Sequence, residues 1–547
     1  MAADPRTAPA PSAEAVTQTT NRIVGSARWW ALGAVMLTMF FSSLDQTVVS
    51  TAMPVIIGDL HGFAIYAWVF TAYMMTSAVT VPLYGKLSDI YGRKPFYVFG
   101  LGVFMIGSAL SGQAHTMMQL VLFRGLQGIG AGAMMSMPRA TIGDIFNPRE
   151  RGRWMGLMTM VFGLASIIGP FLGGFITDHW GWRWVFYINL PVAAAALIAI
   201  AASLPRVRTD HSVHIDWLGS ALLVVGILPM LLAFTWAGNR YAWGSGQILG
   251  LFALAAVALA AFVTVEARAQ EPIIPTRFFK VRIFSTTNAV MLFMTLGMFG
   301  VMLFLPIYVQ GVLGMSAQNS GAIMTPMMLS FIVGALVSGQ VMSRTGAYKT
   351  IAVVGAALMV AGLVLMTGLT ASATWSVVVR DMLVMGVGIG ALMPAMNLSV
   401  QNAFPYRDMG VVTATQQFLS SLGGVIASPI LGTVMANAFA ARLKTALPKG
   451  IALPAAAANP QNLINAQAQA AIQAKFAAMG AGGQAAYHTF IEAVRVALAS
   501  GMSRLFLIAM FAAIAAFVVT LVLPAIHLKN DEFFHADDAP VAEAGQA

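Results

Sequence analysis

The segment Gly85–Pro95 reads GKLSDIYGRKP and separates two apolar runs, at residues 66–86 and 95–113. Its two glycines suit a tight turn, and Asp89 can pair with Arg93 or face the N-terminus of a helix. Each flanking run has about the length, roughly 20 apolar residues, that crosses a lipid bilayer as an α-helix. The segment is therefore predicted to be a polar turn between two membrane-spanning helices.

The composition of the whole chain is that of a polytopic membrane protein. Of its 547 residues 58% are hydrophobic and 9% are charged, whereas soluble domains are about a quarter charged. Basic residues outnumber acidic ones by 30 to 20, but they are scattered singly between apolar runs, so binding to nucleic acid is not expected. The chain contains no cysteine, which excludes disulfides, iron–sulfur clusters and thiol catalysis.

Fourteen apolar segments are predicted to span the lipid bilayer, so the fold class is all-α integral membrane. An even number of spans places both termini on one side. Arg and Lys recur in alternate loops, and this excess identifies that side as cytoplasmic. The segments lie at roughly 29–53, 66–86, 95–113, 117–143, 153–177, 184–204, 216–236, 247–268, 284–311, 317–342, 350–370, 376–400, 409–437 and 504–526.

The sequence contains a weak internal repeat. The fourth span includes GIGAGA (Gly128–Ala133), and the twelfth includes GVGIGA (Gly386–Ala391). A glycine pair of equal spacing also recurs in the fifth and thirteenth spans, Gly156 with Gly169 and Gly410 with Gly423. Spans one to six therefore resemble spans nine to fourteen, which predicts two six-helix bundles with two additional helices between them.

The predicted domain boundaries follow from this repeat. We expect a disordered cytoplasmic tail at 1–28, a first bundle at 29–204, two additional helices with cytoplasmic linkers at 205–283, a second bundle at 284–526 and a cytoplasmic tail at 527–547. The second bundle includes a long outer loop, 438–503. Apolar residues at helical spacing in this loop, beginning at Leu463, predict a short surface helix or an extension of the last span.

Ionisable side chains inside the spans are the first candidates for function, because each costs about 2.5–3.5 kcal/mol at the bilayer centre on insertion scales. Asp45, in the first span, is the clearest such acid and is predicted to bind and release a proton; the alternative is a structural carboxylate bonded to neighbouring hydroxyls or to an arginine. Arg124, in the fourth span, cannot lose its proton and needs an anion or several acceptors nearby. Arg124 is expected to tune Asp45, to line the cavity or to form a purely structural tie. Arg380 and Asp381 are expected to form an interfacial pair.

Three glutamines inside the spans are candidates for a substrate cavity: Gln127, Gln416 and Gln417. The last two either hydrogen-bond a substrate or bridge helices. The histidines all fall in loops or at span ends, and neither a zinc-binding pattern nor a phosphate-binding loop is present. No metal and no other cofactor are expected, so the energy for transport would come from an ion gradient.

Several motifs resemble those of the major facilitator superfamily. Its cytoplasmic signature is matched by Gly85, Asp89, Gly92, Arg93 and Lys94, and its buried-arginine motif by Arg124, Gln127, Gly128, Gly130 and Gly132. Its antiporter motif is matched by Gly156, Gly169, Pro170, Gly173 and Gly174, with Ala165 where glycine is usual. The segments LDQTVVSTAMP (44–54) and WRWVFYINLP (182–191) are similar to the fourteen-helix drug:proton antiporters, the EmrB/QacA-like multidrug efflux transporters. The second-half loop GQVMSRTGAYK (339–349) departs from the signature, because Ser343 stands where an aspartate would complete it.

The resemblance implies a major facilitator fold and an exporter in the bacterial cytoplasmic membrane, driven by the proton gradient. Its substrates would be small lipophilic or cationic compounds, exported by alternating access; its proton site would be Asp45 with Arg124. Asp45 can also attract a cationic substrate, in competition with the proton. Asp89, Arg93 and Lys94 would gate the cytoplasmic side, and the antiporter motif would close the cavity against leak.

Other functions remain as alternatives to multidrug efflux. A dedicated exporter of one lipid, siderophore or metabolite fits the same motifs. A membrane enzyme or sensor would need a catalytic constellation or a signalling domain, and neither is evident. A passive channel would need a selectivity filter or a charged ring. No coiled-coil or docking segment indicates a periplasmic adaptor, so the chain is expected to work alone within the lipid bilayer.

Overall fold

The computed structural model describes residues 26–60, 67–146, 148–204, 216–238, 240–269, 272–315, 324–405, 408–446, 473–474, 476 and 483–525. Its helices are α1 (Ser26–Leu60), α2 (Ala67–Tyr91), α3 (Arg93–Gly112), α4 (Met117–Ile145), α5 (Pro148–Trp180), α6 (Trp184–Tyr187), α7 (Asn189–Ser203), α8 (Trp217–Trp236), α9 (Gly246–Glu266), α10 (Arg282–Gly311), α11 (Thr325–Thr345), α12 (Tyr348–Thr367), α13 (Trp375–Ala403), α14 (Met409–Ala446) and α15 (Gly483–Leu521). A short 3-10 helix, Thr276–Lys280, precedes α10.

Most of these helices are long and apolar enough to cross a membrane. Within the described ranges 13 helices meet this description, with α6 and α7 together counted as one. Helix α2 is not among them; it has 25 residues and carries Lys86 and Asp89 near its C-terminal end. Together with α2, the described helices correspond one to one with the fourteen predicted spans.

The helices form two bundles with the same pattern of neighbours. In the first bundle α1 packs on α5 and α7, α2 packs on α4, and α3 packs on α4 and α7. In the second, α10 packs on α14 and α15, α11 packs on α13, and α12 packs on α13 and α15. The second pattern repeats the first when α1–α5 and α7, six helices, are matched in order with α10–α15. The fold is thus two six-span bundles with the pair α8 and α9 between them in the chain.

Glycines repeated in the sequence make equivalent contacts in the two bundles. A Cβ atom on Gly128 of α4 would collide with the backbone of Tyr73 in α2, and one on Gly386 of α13 would collide with the backbone of Met327 in α11. Small residues let membrane helices approach at backbone distance. The GIGAGA and GVGIGA segments therefore mark the same helix–helix contact in each bundle.

The bundles meet along two seams, which are also equivalent. At one seam, between α5 and α11, a Cβ on Gly156 would lie 2.7 Å from the carbonyl oxygen of Ala335. At the other, between α2 and α14, a Cβ on Gly85 would lie 2.8 Å from the carbonyl oxygen of Gly410. Helices α8 and α9 pack on each other, and α8 also packs on α2 and α14. The additional pair therefore covers the α2–α14 seam.

The structure departs from the predicted outer loop 438–503 at both ends. Helix α14 continues to Ala446, and α15 begins at Gly483, so the last span extends well before the predicted residue 504. In a longer helix the backbone N–H and C=O groups of this segment pair with one another, whereas in a loop they would need other partners. The suggested surface helix near Leu463 lies outside the described residues, as do positions 1–25 of the N-terminal tail and all of the tail 527–547. The domain boundaries stay a prediction.

Candidate functional site

Asp45 lies at the centre of a buried polar cluster in the first bundle. One carboxylate oxygen accepts a hydrogen bond from Arg124 Nη1 at 2.6 Å. The other accepts from Gln127 Nε2 at 3.0 Å and from Asn189 Nδ2 at 2.7 Å. Asn189 Nδ2 also donates to Ser108 Oγ at 3.1 Å. The side chains of Asp45 and Arg124 are both fully buried, so every partner of this carboxylate is supplied by the protein.

The guanidinium of Arg124 is held between polar and aromatic groups. Besides Asp45, its Nη1 donates to Gln127 Oε1 at 2.7 Å. Its Nε and Nη2 have no hydrogen-bond partner, but its central carbon lies 4.1 Å from the ring centroid of Tyr73 and 6.0 Å from that of Phe186. Aromatic faces attract a cation. The arginine is thus stabilised mainly by one carboxylate, and loss of that negative charge would leave a buried cation without a counter-ion.

Four elements bring this cluster together because small residues let them approach closely. Gly107 of α3 lies against the backbone of Gln127 in α4, where any Cβ would collide. Asn189 is the first residue of α7, directly after Ile188, which separates α7 from the short helix α6. That junction points the Asn189 amide into the bundle, towards Asp45. Sequence analysis placed Asn189 only within a matching motif and did not assign it a contact.

The predicted gate motif lies at one end of the bundles, which we call the Asp89 end. Arg93 binds two acids there: its Nη1 lies 2.5 Å from Asp89 Oδ1, and its Nε lies 2.8 Å from Asp144 Oδ2. Gly92 joins α2 to α3 with a positive φ of 85°, which favours glycine. Lys94 donates to the carbonyl oxygen of Ala201 and so contacts its own bundle. Asp144, which the sequence analysis missed, is the second acid that Arg93 binds.

Asp89 also joins the two bundles. Its Oδ1 accepts a hydrogen bond from the backbone N–H of Gly410 at 2.9 Å, and its Oδ2 accepts from Val411 N–H at 2.7 Å. Both N–H groups belong to the first turn of α14, where they have no partner within the helix. A carboxylate at this position also interacts favourably with the positive end of the helix dipole. The two expectations for Asp89, pairing with Arg93 and facing a helix N-terminus, are both met.

Further contacts between the bundles lie at the same end. Gln401 of α13 donates from Nε2 to the carbonyl oxygen of Arg139 in α4 at 3.2 Å. A Cβ on Gly143 of α4 would lie 2.9 Å from Met409 Cγ in α14. These contacts, together with those of Asp89, close the Asp89 end of the space between the bundles.

The glycines of the antiporter motif lie on different faces of α5. Gly156 faces α11 of the other bundle, whereas Gly169 and Gly173 face Thr47 and Val48 of α1 in the same bundle. Gly174 makes only an ordinary contact with Thr51, and Pro170 lies within α5. Helix α5 is therefore in close contact on one face with the helix that carries Asp45 and on another with the second bundle.

The three candidate glutamines lie in different surroundings. Gln127 belongs to the Asp45 cluster and is fully buried. Gln416 is buried and donates from Nε2 to the carbonyl oxygen of Met396 at 3.2 Å, so it bridges α14 and α13. Gln417 is partly exposed and donates to Ser421 Oγ within its own helix at 3.3 Å. The structure thus brings only Gln127 together with Asp45 and Arg124.

Asp381 differs from the simple interfacial pair expected for it. It does pair with Arg380, at 2.8 Å, but its side chain is fully buried while that of Arg380 is 57% exposed. Its second carboxylate oxygen has no hydrogen-bond partner. Among the described residues no group of three or more His, Cys, Asp or Glu side chains is arranged to hold a metal ion.

Comparison with known proteins identifies the family. Residues 35–428 match the sequence profile of the Major Facilitator Superfamily. The chain belongs to this superfamily. Its members are transporters, so this chain is a multi-pass membrane transporter with the major facilitator fold.

Two curated relatives from Bacillus subtilis (strain 168) are similar over most of their length. The multidrug transporter protein MdtP is 42% identical over 457 residues, which cover 82% of this chain and 84% of the relative. Multidrug resistance protein 3 is 38% identical over 457 residues, covering 82% and 88%.

A solved structure, that of the human organic anion transporter MFSD10, aligns with a TM-score of 0.58 at 15% identity. The alignment covers 89% of this chain and 99% of that one. At this identity the likeness concerns the fold alone.

Proposed function

We propose that this transporter is a proton-coupled exporter of lipophilic compounds and that Asp45 is its proton-binding acid. The observation that carries the proposal is the fully buried ion pair between Asp45 and Arg124. Apolar residues of similar volume are often as stabilising as a buried ion pair, so stability alone does not explain this pair in a membrane transporter. A change in its protonation state during transport would explain it. The printed names of the two Bacillus relatives, both multidrug proteins, favour export of several lipophilic compounds.

Protonation of Asp45 would change the forces between helices of the first bundle. The neutral acid no longer balances Arg124, so a buried cation loses its main partner. The hydrogen bonds from Gln127 and Asn189 also weaken, since a carboxylate accepts more strongly than a neutral acid. Helices α1, α4 and α7 are then expected to shift until Arg124 finds other acceptors. In this way the occupancy of one proton alters the packing of the bundle.

The Asp89 end is proposed to be the cytoplasmic gate. Asp89 and its hydrogen bonds to the start of α14 hold the bundles together, and they must break when the halves rock to admit a compound from the cytoplasm or the inner leaflet. The excess of basic residues in the loops at this end favours the cytoplasmic side. Both termini would then be cytoplasmic, in a bacterial inner membrane.

The test is proton movement on addition of substrate. Purified protein is reconstituted in liposomes that contain a pH-sensitive dye, and a panel of neutral and cationic lipophilic compounds is added to the wild type and to Asp45→Asn. Wild type is expected to move protons with at least one compound, and Asp45→Asn to lose the coupling. Asp178→Asn, a change of an exposed acid on α5, is the matched control and is expected to behave as wild type.

Two results would contradict the proposal. If Asp45→Asn still moves protons at the wild-type rate, the acid is structural and the coupling site lies elsewhere. If the wild type responds to no compound in the panel but does transport one lipid, siderophore or metabolite, the dedicated exporter is the correct function.

A further inference from the structure

Helix α4 and the start of α5 carry three arginines that the structure buries, and two of them have partners of their own. Arg124 binds the carboxylate of Asp45. Arg151 donates from Nε to the carbonyl oxygen of Phe146 at 2.8 Å and from Nη2 to that of Gly143 at 2.6 Å. A buried guanidinium requires such acceptors, because it stays protonated and carries five N–H donors.

Arg139 of α4 is the third, and it has no such acceptor. The residue is 7% exposed, yet within the part of the chain that the structure describes its guanidinium donates no hydrogen bond and forms no ion pair. The next acid along α4, Asp144, already binds Arg93. A buried charge without a counter-ion costs free energy. The described side chains therefore do not balance this cation.

Arg139 lies where the two bundles touch. Its own carbonyl oxygen accepts a hydrogen bond from Gln401 Nε2 of α13 at 3.2 Å. Gly143 follows one turn later on the same side of α4, and a Cβ there would lie 2.9 Å from Met409 Cγ of α14. Side chains tilt towards the N-terminus of their helix, and α4 finishes at the Asp89 end. The Arg139 side chain therefore leaves α4 in the direction of the middle of the molecule.

The contacts beside Arg139 are those that must break when the Asp89 end opens. Asp89 holds the start of α14 against α2, and Gln401 and Met409 lie against α4. Even in this closed arrangement the guanidinium nitrogens of Arg139 are not fully enclosed. When the bundles rock apart at this end, Arg139 is uncovered. An anion that binds there would offset the unbalanced charge.

We propose that Arg139 binds the anionic group, a carboxylate or a sulfonate, of amphipathic compounds that enter when the Asp89 end opens. A guanidinium presents its N–H donors in a planar fork that matches the oxygens of such a group. Arg139 would thus add lipophilic anions to the compounds that the exporter takes, and this rests on the proposed function for the opening of the Asp89 end.

The anion site and the proton site are separate places on the same helix. About four turns of α4, roughly 22 Å, lie between Arg124 and Arg139. Asp45 and Arg124 are fully buried inside the first bundle, with every hydrogen-bond partner of the carboxylate supplied by that bundle. An anion on Arg139 therefore does not touch the proton site. Variants of Arg139 should leave proton coupling with neutral and cationic compounds intact.

The test compares two fluorescent probes that differ only in an anionic group. The sulfonate probe is 8-anilino-1-naphthalenesulfonate, and the uncharged probe is N-phenyl-1-naphthylamine, which has the same rings without the sulfonate. Binding to the full chain is measured in phosphatidylcholine nanodiscs, with the signal of protein-free nanodiscs subtracted. The variants are Arg139→Gln, which removes the charge, and Arg139→Lys, which keeps it. The matched control is Arg268→Gln, which removes an exposed charge just after α9.

Arg139→Gln is expected to bind the sulfonate probe at least about tenfold more weakly than the wild type, because hydrogen bonds between charged groups are the stronger ones. Its affinity for the uncharged probe should stay within about twofold. Arg139→Lys should keep part of the sulfonate binding, since it keeps the charge and loses the planar fork. Arg268→Gln should match the wild type. Asp89→Asn should strengthen sulfonate binding by up to about fivefold, because more of the protein is then open at the Asp89 end.

Stability separates this role from a purely structural one. Arg139→Met removes the unbalanced charge and keeps a long unbranched side chain, so it should unfold at a higher temperature than the wild type. An arginine that held the bundles together would give the opposite result. The sulfonate probe should raise the unfolding temperature of the wild type but not that of Arg139→Met. Unfolding is followed by circular dichroism of the full chain in detergent.

Three results would overturn the anion site: Arg139→Gln binds the sulfonate probe as tightly as the wild type; it loses both probes to the same extent; or Arg139→Met unfolds at a lower temperature than the wild type. A failure of the proposed function would look different. If sulfonate binding depends on Arg139 but no compound moves protons, the anion site is retained and the proton-coupled exporter is rejected. If proton coupling depends on Asp45 but sulfonate binding does not depend on Arg139, the exporter is retained and the anion site is rejected.

Discussion

The two bundles share their helix packing but differ in the side chains at their centres. In α1, Asp45 lies two residues before Thr47, which contacts Gly169 of α5. In α10 the corresponding Thr295 contacts Gly423, and two residues before it stands Phe293. The acid of the first bundle is thus replaced by an aromatic residue in the second.

A similar replacement of charged or polar residues by apolar ones is seen between α4 and its counterpart α13. Arg124 and Gln127 precede Gly128 on α4, and at the same distances before Gly386 on α13 stand Met382 and Met385, both fully buried. At these positions the first bundle therefore carries charged and polar side chains and the second apolar ones, although Asp381, next to Met382, is also fully buried. Under the proposed function, proton coupling belongs to the first bundle.

The largest effect is expected for Arg124→Met. This change gives the first bundle the residue type that the second bundle has at the equivalent position, Met382. Asp45 would then be a buried acid without its counter-ion, and breaking such a pair costs about 3–5 kcal/mol. Thermal unfolding of the purified protein should show this loss, and proton-coupled transport should stop.

Adding Asp45→Asn to Arg124→Met supplies the control. The double variant should recover most of the lost stability, because no buried charge remains, but it should not recover coupling. If Arg124→Met alone is as stable as the wild type, the pair is not the electrostatic element described here.

A smaller effect is expected at the two seams, where the bundles are equivalent. A Cβ on Gly85 would lie 2.8 Å from the carbonyl oxygen of Gly410, and one on Gly339 would lie 2.7 Å from that of Gly152. Gly85→Ala and Gly339→Ala should each destabilise the closed Asp89 end by about 1–3 kcal/mol, the usual cost of overpacking.

Cross-linking can measure the closure of the Asp89 end, since the native chain has no cysteine. Cysteines introduced by Gly143→Cys and Met409→Cys face each other across the bundles, and their disulfide should form more slowly in both alanine variants. Gly102→Ala is the control, because a Cβ there meets nothing within 4 Å. Slowing at one seam alone would contradict the equivalence of the seams.

The smallest effect concerns Asp89, whose contacts with the start of α14 have no counterpart at the α5–α11 seam. Asp89→Asn keeps a hydrogen-bond acceptor but loses the charge that faces Arg93 and the start of α14, a difference of about 1 kcal/mol. Cross-linking of the same cysteine pair should slow by roughly fivefold. The corresponding change in the second bundle, Ser343→Asp, should alter the rate of disulfide formation by less than about twofold.

The reason lies in where the partner helices begin. Helix α14 begins at Met409, so Gly410 and Val411 offer free N–H groups to Asp89. Helix α5 begins at Pro148, about two turns before Gly156, which corresponds to Gly410 in the repeat, so the N–H of Gly156 is already within the helix. Faster cross-linking in Ser343→Asp would show that the second seam also has unpartnered N–H groups.

The sequence predicted the fold well because membrane spans and close helix contacts depend on local features. Long apolar runs marked the spans, and the repeated glycines marked equivalent contacts in both bundles. Asp45 and Arg124 could be paired in advance, since a buried arginine needs an anion. Lengths of terminal helices were predicted less well. Helix α15 extends outward through a segment that is Ala-rich and only moderately apolar, so hydropathy placed its start too late.

The rest of the site depends on tertiary contacts that one sequence does not reveal. Asn189 reaches Asp45 across 144 positions in the chain, and only the break at Ile188 turns its amide inward. Gln127 looked like a cavity residue because nothing local showed that it faces Asp45. The burial of Asp381 and the role of Asp144 likewise depend on neighbours from other helices.

The pair α8 and α9 makes the two flanks of the molecule unequal towards the lipid. On the α2–α14 flank, Leu223 and Leu231 of α8 share one apolar cluster with Met75 of α2 and Leu422 of α14. On the α5–α11 flank, side chains such as Val337 of α11 are more than half exposed. The lipid therefore contacts the additional pair α8 and α9 on one flank, and α5 and α11 directly on the other.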